Sequence, residues 1–289
     1  MIRIILFLLS NISIMTIFGL ILELTKIQSN SKIGILIISS LLSFGGAFIS
    51  LLTSKSIALK KVNGIIVEYP KNNIEKWITK IIKNQAKIMK IKTPQIAIYE
   101  TSDINAFATG SCKNNALIAI STGLLQKMDK DKISAVIAHE ISHIANGDMI
   151  TMTLLQGTIN TFVIFIAKIF TKLVIKLIYN KINIKNKSSL YFIISKTLEI
   201  IFATSANIIT LWFSRYREFR ADAGSAKIVG KEKMISTLKQ LIKNQIKEHE
   251  RNILTTFYIH TNYKTLHKIF MSHPTLQKRI KELNNETYF

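Results

Sequence analysis

The stretch AVIAHEISHIANGDM, residues 135–149, sets two imidazoles and a carboxylate in the pattern His139-Glu140-x-x-His143 inside an otherwise apolar run. Residues four apart on a helix share a face, so His139 and His143 can turn two ring nitrogens toward one ion, at about 2.0–2.1 Å for zinc. Glu140 projects beside that face, where a carboxylate can take a proton from water polarised by the ion. That is the work of the general base in peptide-bond hydrolysis. The competing explanation is a set of hydrogen-bonded core histidines, but the chain has only six His, and the five-residue motif outweighs it if a third ligand exists.

A hydrolytic zinc site needs three protein ligands and an open position. The extended pattern that continues with Gly and His is missing, because Asn146 and Met149 stand at those places. The best source of a third ligand is the segment 214–230, where Glu218 and Asp222 are also four apart. One carboxylate could bind the ion while the other holds a ligand imidazole by its second nitrogen. A solvated helix of surface ion pairs among Arg215, Arg217, Glu218, Arg220 and Asp222 is the plain alternative. Of the remaining histidines, His249, His260 and His267 have no partner spacing, and His273-Pro274 reads as the start of a terminal helix, with Pro at an early helical position.

The elements that must position these groups are helices, a small sheet and a membrane. Apolar runs at 4–22 and 33–52 read as a transmembrane hairpin, too long and too poorly followed by small residues for a cleaved signal. Arg3, Lys55, Lys60 and Lys61 flank it on one side, which places the segment from Thr53 onward in the cytoplasm. Further apolar runs begin at Met149 and at about Leu190. The second is interrupted by Lys196 and Glu199, and the turn between them carries Lys181, Lys185 and Lys187. Intramembrane Lys196 and Glu199 also raise a transporter or channel, but no repeated helix architecture accompanies them. An amphipathic helix is expected over 71–90, ended by Pro94, then strands at 95–99, 106–108 and 116–121, the last two separated by the turn GSCKNN. Asp129 or Asp131 opens the helix of the histidine motif, and Asn146-Gly147 closes it.

Composition excludes more than it selects. The net charge of +22 comes from lysines scattered along the whole chain, with no compact basic tract, so nucleic acid is not an expected partner. A single cysteine, Cys112, rules out an intrachain disulfide, and no CxxC or Cys/His cluster suggests a thiolate zinc site. With 48% apolar residues in 289, the chain has room for membrane segments and one sizeable domain.

Several segments in order resemble the M48 family of membrane zinc peptidases: the apolar start 6–29, SDINAFATG, STGLLQ, VIAHEISHIANGDMITMTLLQG, WFSRYREFRADAGSAK and FMSHPTLQKRI. The resemblance implies an α+β, mostly helical integral membrane protein with up to four transmembrane helices and a cytosolic gluzincin-type domain holding a small mixed sheet. It divides the chain into a membrane hairpin (1–54), a first catalytic part (55–148), a second hydrophobic hairpin (149–213) and a second catalytic part (214–289). It implies one Zn2+ per chain on His139, His143 and Glu218, Glu140 as catalytic base, and Asp222 bonded to His139. An edge strand of Asn105, Ala106, Phe107 and Ala108 would pair with substrate. The implied function is endopeptidase quality control of misfolded or damaged proteins of the cell inner membrane, cut on the cytosolic side. A zinc-containing but non-catalytic membrane adaptor or chaperone is the alternative.

Overall fold

The computed structural model describes residues 32–179, 187–253 and 274–288. The first apolar run, 4–22, lies outside them, as do Lys181 and Lys185 and the histidines at 260, 267 and 273. The elements in chain order are α1 (Lys32–Val62), β1 (Ile65–Ile66), α2 (Asn73–Ile88), β2 (Gln95–Tyr99), β3 (Ala106–Cys112), β4 (Asn115–Ser121), α3 (Thr122–Lys127), α4 (Lys130–Asn146), α5 (Asp148–Tyr179), α6 (Lys187–Val229), α7 (Lys231–Ile253) and α8 (Leu276–Asn284). They form two compact units, one of residues 1–50 and 152–211 and one of 51–151 and 212–289.

In the first unit, Val163 and Ile164 of α5 pack with Phe202, Ala203 and Ala206 of α6. Large apolar side chains elsewhere on α1, α5 and α6 are exposed, among them Leu41, Phe48, Phe162, Leu173 and Ile209. Among the described residues, Ile38–Val62 and Ser189–Val229 are the helices long and apolar enough to cross a bilayer. Lys196 and Glu199 pair with each other at 2.8 Å on one face of α6, and Ser195 adds a second contact to the buried carboxylate. Each of the two charges is thereby offset by the other.

The second unit is built on a mixed sheet of order β1-β2-β4-β3, with β2 and β4 parallel and the other pairs antiparallel. The central strands are buried on both faces. Ile96, Ile118 and Ile120 meet Ile78 and Ile82 of α2 and Ile133, Ile137 and Ile141 of α4. On the opposite face Ala97, Tyr99, Leu117 and Ala119 receive Leu59 and Val62 of α1. Three expectations from local pattern are corrected here. α2 ends at Ile88, well before Pro94, where Lys90 takes a positive φ of 55°. β3 continues through Gly110, Ser111 and Cys112, because a bulge between Gly110 and Cys112 lets the ladder to β4 persist and leaves only Lys113 and Asn114 as the turn. Near the end of the chain, the Thr275 side chain caps α8, so Pro274 precedes the helix rather than occupying its first turn.

A candidate metal centre

The histidine motif lies on α4, whose ends are both fixed by local chemistry. The Asp129 side chain accepts from the Lys132 amide at 3.0 Å, capping the start. Gly147, at φ 72°, takes the left-handed conformation that ends the helix, with its N–H returned to the His143 and Ile144 carbonyls. α5 begins at the next residue, Asp148.

α6 crosses α4 through small residues. A Cβ on Gly224 would lie 2.6 Å from Ser142 Oγ and 2.9 Å from its Cβ, and Ser225 Oγ donates to the Ala135 carbonyl at 3.0 Å. The close approach brings Glu218 and Asp222 to the histidines. Both are fully buried, at 2% and 1% exposure, so they are not part of a solvated ion-pair surface.

One nitrogen each of His139 and His143 and one oxygen of Glu218 lie within 4.8 Å of one another, a group that could hold a metal ion. The two Nε2 atoms are 3.1 Å apart, and they stand 3.5 and 3.4 Å from the Glu218 oxygens Oε2 and Oε1. The outer nitrogens are held by carboxylates: His139 Nδ1 by Asp222 Oδ1 at 3.0 Å and His143 Nδ1 by Asp148 Oδ2 at 2.6 Å. A carboxylate can only accept, so both protons belong on Nδ1 and both Nε2 lone pairs turn inward. Ligands about 2.0–2.1 Å from a tetrahedral zinc ion stand about 3.3–3.4 Å apart, close to the three separations observed. The donor set fits the ion.

The electrostatics agree. Burial and Arg279 favour neutral His139, but its bonds to Asp222 and Glu218 outweigh them and push its pKa up to about 9. His143 is raised against burial by Asp148 and Glu218. Acceptors so arranged attract a cation, and a metal ion competes with the proton for the same lone pairs.

Glu140 turns to the sheet, where its Oε2 accepts the Ala108 N–H at 2.8 Å. Of the four edge-strand residues, Asn105 turns its backbone into the sheet, its carbonyl accepting from the Ser121 amide at 3.0 Å. Phe107, two residues on and opposite Ala119, repeats that orientation, whereas Ala106 and Ala108 face the edge with which no strand pairs among the described residues.

Two residues of the site lie inside the quoted segments, but no spacing signals their roles. Asp148 follows the helix-ending Gly147, and its position five residues after His143 is the only local signal. Arg279, on α8, is buried and donates to Asp222 through Nε at 2.7 Å and Nη2 at 2.5 Å, with Nη1 3.5 Å from Glu218 Oε2. Arg217 Nη2 approaches the other Glu218 oxygen at 3.8 Å.

The chain is similar to known proteins. The model of Peptidase family M48 matches residues 72–287. A Protease HtpX of Sodalis glossinidius (strain morsitans) is 50% identical over 292 aligned residues, covering 100% of this chain and 99% of that protein. The Protease HtpX of Yersinia pestis (strain Pestoides F) is 49% identical with the same coverage. Among solved structures, Ste24p of S. mikatae superposes with a TM-score of 0.65 at 20% identity, covering 94% of this chain. The chain spans 62% of the length of that Ste24p chain, and the likeness concerns the fold.

Proposed function

The chain belongs to peptidase family M48, a membrane metallopeptidase family, and from that premise we propose a zinc-dependent endopeptidase of the inner membrane that cuts misfolded or damaged membrane proteins on the cytosolic side. The observation that carries the reading is the convergence of two imidazoles and one carboxylate beside a second carboxylate, bonded to a sheet edge with which no strand pairs among the described residues. The orientation is supported by the lysines 55, 60 and 61 that follow the apolar part of α1. Residues 1–54 and 149–213 then serve as membrane hairpins, and 55–148 with 214–289 as the catalytic parts.

In this reading His139, His143 and Glu218 hold one zinc ion per chain, which when bound supplies a Lewis acid for water and for the scissile carbonyl. Glu140 takes the proton of the attacking water and returns it to the nitrogen of the departing amine. Asp222 and Asp148 keep the rings of His139 and His143 in the tautomer that leaves Nε2 free. Residues 105–108 hold the peptide extended, with Ala106 and Ala108 offering the main-chain groups it pairs with.

Glu140→Gln tests this against a zinc-containing but non-catalytic adaptor. Cleavage of an unfolded membrane protein in detergent should fall roughly a hundredfold or more while zinc content stays the same. Equal cleavage by the variant would remove Glu140 from the chemistry, and absence of cleavage by the unaltered protein would favour the adaptor.

A further inference from the structure

Register decides which main-chain groups of β3 face away from the sheet. In an antiparallel pair, residues alternate between those that exchange hydrogen bonds with the neighbour and those whose N–H and C=O point the other way. Asn105 belongs to the first kind, since its carbonyl receives the Ser121 amide. Phe107 and Thr109, opposite Ala119 and Leu117, share that orientation. Ala106, Ala108 and Gly110, opposite Ile120, Ile118 and Ala116, are therefore the residues that face the edge of β3 with which no strand pairs among the described residues. One of these outward groups is already engaged: the Ala108 N–H donates to Glu140 Oε2 at 2.8 Å, across 32 residues of chain.

We propose that the Ala108 main-chain N–H is the positioning group for the Glu140 carboxylate, and that this bond sets the register of a bound peptide so that the residue facing Ala108 supplies the scissile carbonyl. The inference rests on the reading of the chain as a peptidase with Glu140 as its base.

A peptide added antiparallel to β3 meets complete pairs of donor and acceptor at Ala106 and Gly110. At Ala108 it meets an acceptor only, because Glu140 Oε2 stands where the oxygen of a ladder carbonyl would stand, about 2.9 Å from the amide nitrogen. The peptide residue opposite Ala108 can give its own N–H to the Ala108 carbonyl, but its carbonyl receives no strand donor. That single carbonyl is turned out of the ladder, while the residues two before and two after are held by both groups. It lies beside the base. The arrangement holds the peptide firmly on both sides of the bond to be broken and leaves its carbonyl oxygen unpaired for the attack.

The test replaces the Ala108 amide with an ester by incorporating lactic acid at that position, which exchanges the N–H for an oxygen and leaves the side chain in place. Ala106 receives the same change as a comparison, in the full-length protein with zinc content and melting temperature measured for each. With a quenched fluorescent peptide, the Ala108 ester should lose roughly tenfold or more in kcat with KM nearly unchanged, and the Ala106 ester should raise KM with kcat kept. An Ala108 ester that keeps its kcat, or loses only in KM, overturns the proposal.

Single N-methyl groups on the peptide give a second reading that needs no altered protein. Methylating the residue that supplies the scissile carbonyl, or the one two places before it, should raise KM, and methylating the residue between should be tolerated. The opposite alternation overturns the register. Retention of cleavage by Glu140→Gln would instead sink the underlying reading, and it is seen before any ester is made.

Discussion

Arg279→Met removes the guanidinium that lies against both Asp222 and Glu218 of α6, and the structure gives the size of the effect. Arg279 is 8% exposed, and its partners Asp222 and Glu218 are 1% and 2% exposed. Burial pushes the Asp222 carboxyl up, but Arg279 outweighs it and holds the group below its ordinary range. Breaking a buried pair by removing one partner leaves the other charge uncompensated and costs about 3–5 kcal/mol. At about 2–4 °C per kcal/mol for a unit of this size, melting should fall by about 6–20 °C. Thermal unfolding of the detergent-solubilised protein, treated with chelator, measures this directly. Zinc should narrow the gap, since a divalent ion supplies the missing positive charge. The double variant Asp222→Asn/Arg279→Met should recover part of the loss, with an interaction energy of about 1–3 kcal/mol in the thermodynamic cycle. If the two single losses simply add, Arg279 does not act through Asp222, and the electrostatic account of the pair is wrong.

Two further outcomes are expected from the same cluster. The folded-state pKa of His139, about 9 against an ordinary 6.5, means that in chelated protein its ion pairs contribute fully below about pH 6.5 and are lost as pH rises through about 9. The melting temperature without metal should therefore fall over that interval, a fall that saturating zinc removes; a flat metal-free profile would show that His139 does not carry the charge. Gly224→Ala puts a methyl group 2.6 Å from Ser142 Oγ. Overpacking of this kind costs about 1–3 kcal/mol and pushes α6 from α4. Zinc affinity should drop, and Ser142→Gly in the same chain should restore it; unaltered zinc binding in Gly224→Ala alone would show that the crossing does not set the site.

What could be seen in the sequence was whatever repeats locally. The spacing of His139 and His143 is a helical turn, the short unbroken apolar runs within 95–99 and 116–121 are strands buried on both faces, and the Asp129 cap and Gly147 stop are chemical signals a few residues long. Where a single residue overrules its neighbours, local pattern fails. GSCKNN has the composition of a turn, yet the bulge at Gly110 carries β3 three residues further into it. Asp148 and Arg279 escaped for a related reason. A lone carboxylate after a glycine, and a lone arginine 140 residues from the histidine it faces, have no periodicity to report them.

The choice between Glu218 and Asp222 shows where sequence stops and packing begins. Four residues apart on one helical face, they are equivalent by periodicity, and either could be ligand or support. The helix crossing breaks the equivalence. Asp222 stands two residues from Gly224, where α6 comes closest to α4, so its short side chain meets the Nδ1 side of His139 at 3.0 Å. Glu218 is a full turn further from that contact and one methylene longer, and its two oxygens reach the Nε2 atoms of both rings. Exchanging the two, with Asp at 218 and Glu at 222, would keep charge and spacing while mismatching both reaches. The asymmetry of Glu and Asp is thus a consequence of how far each position lies from a single glycine.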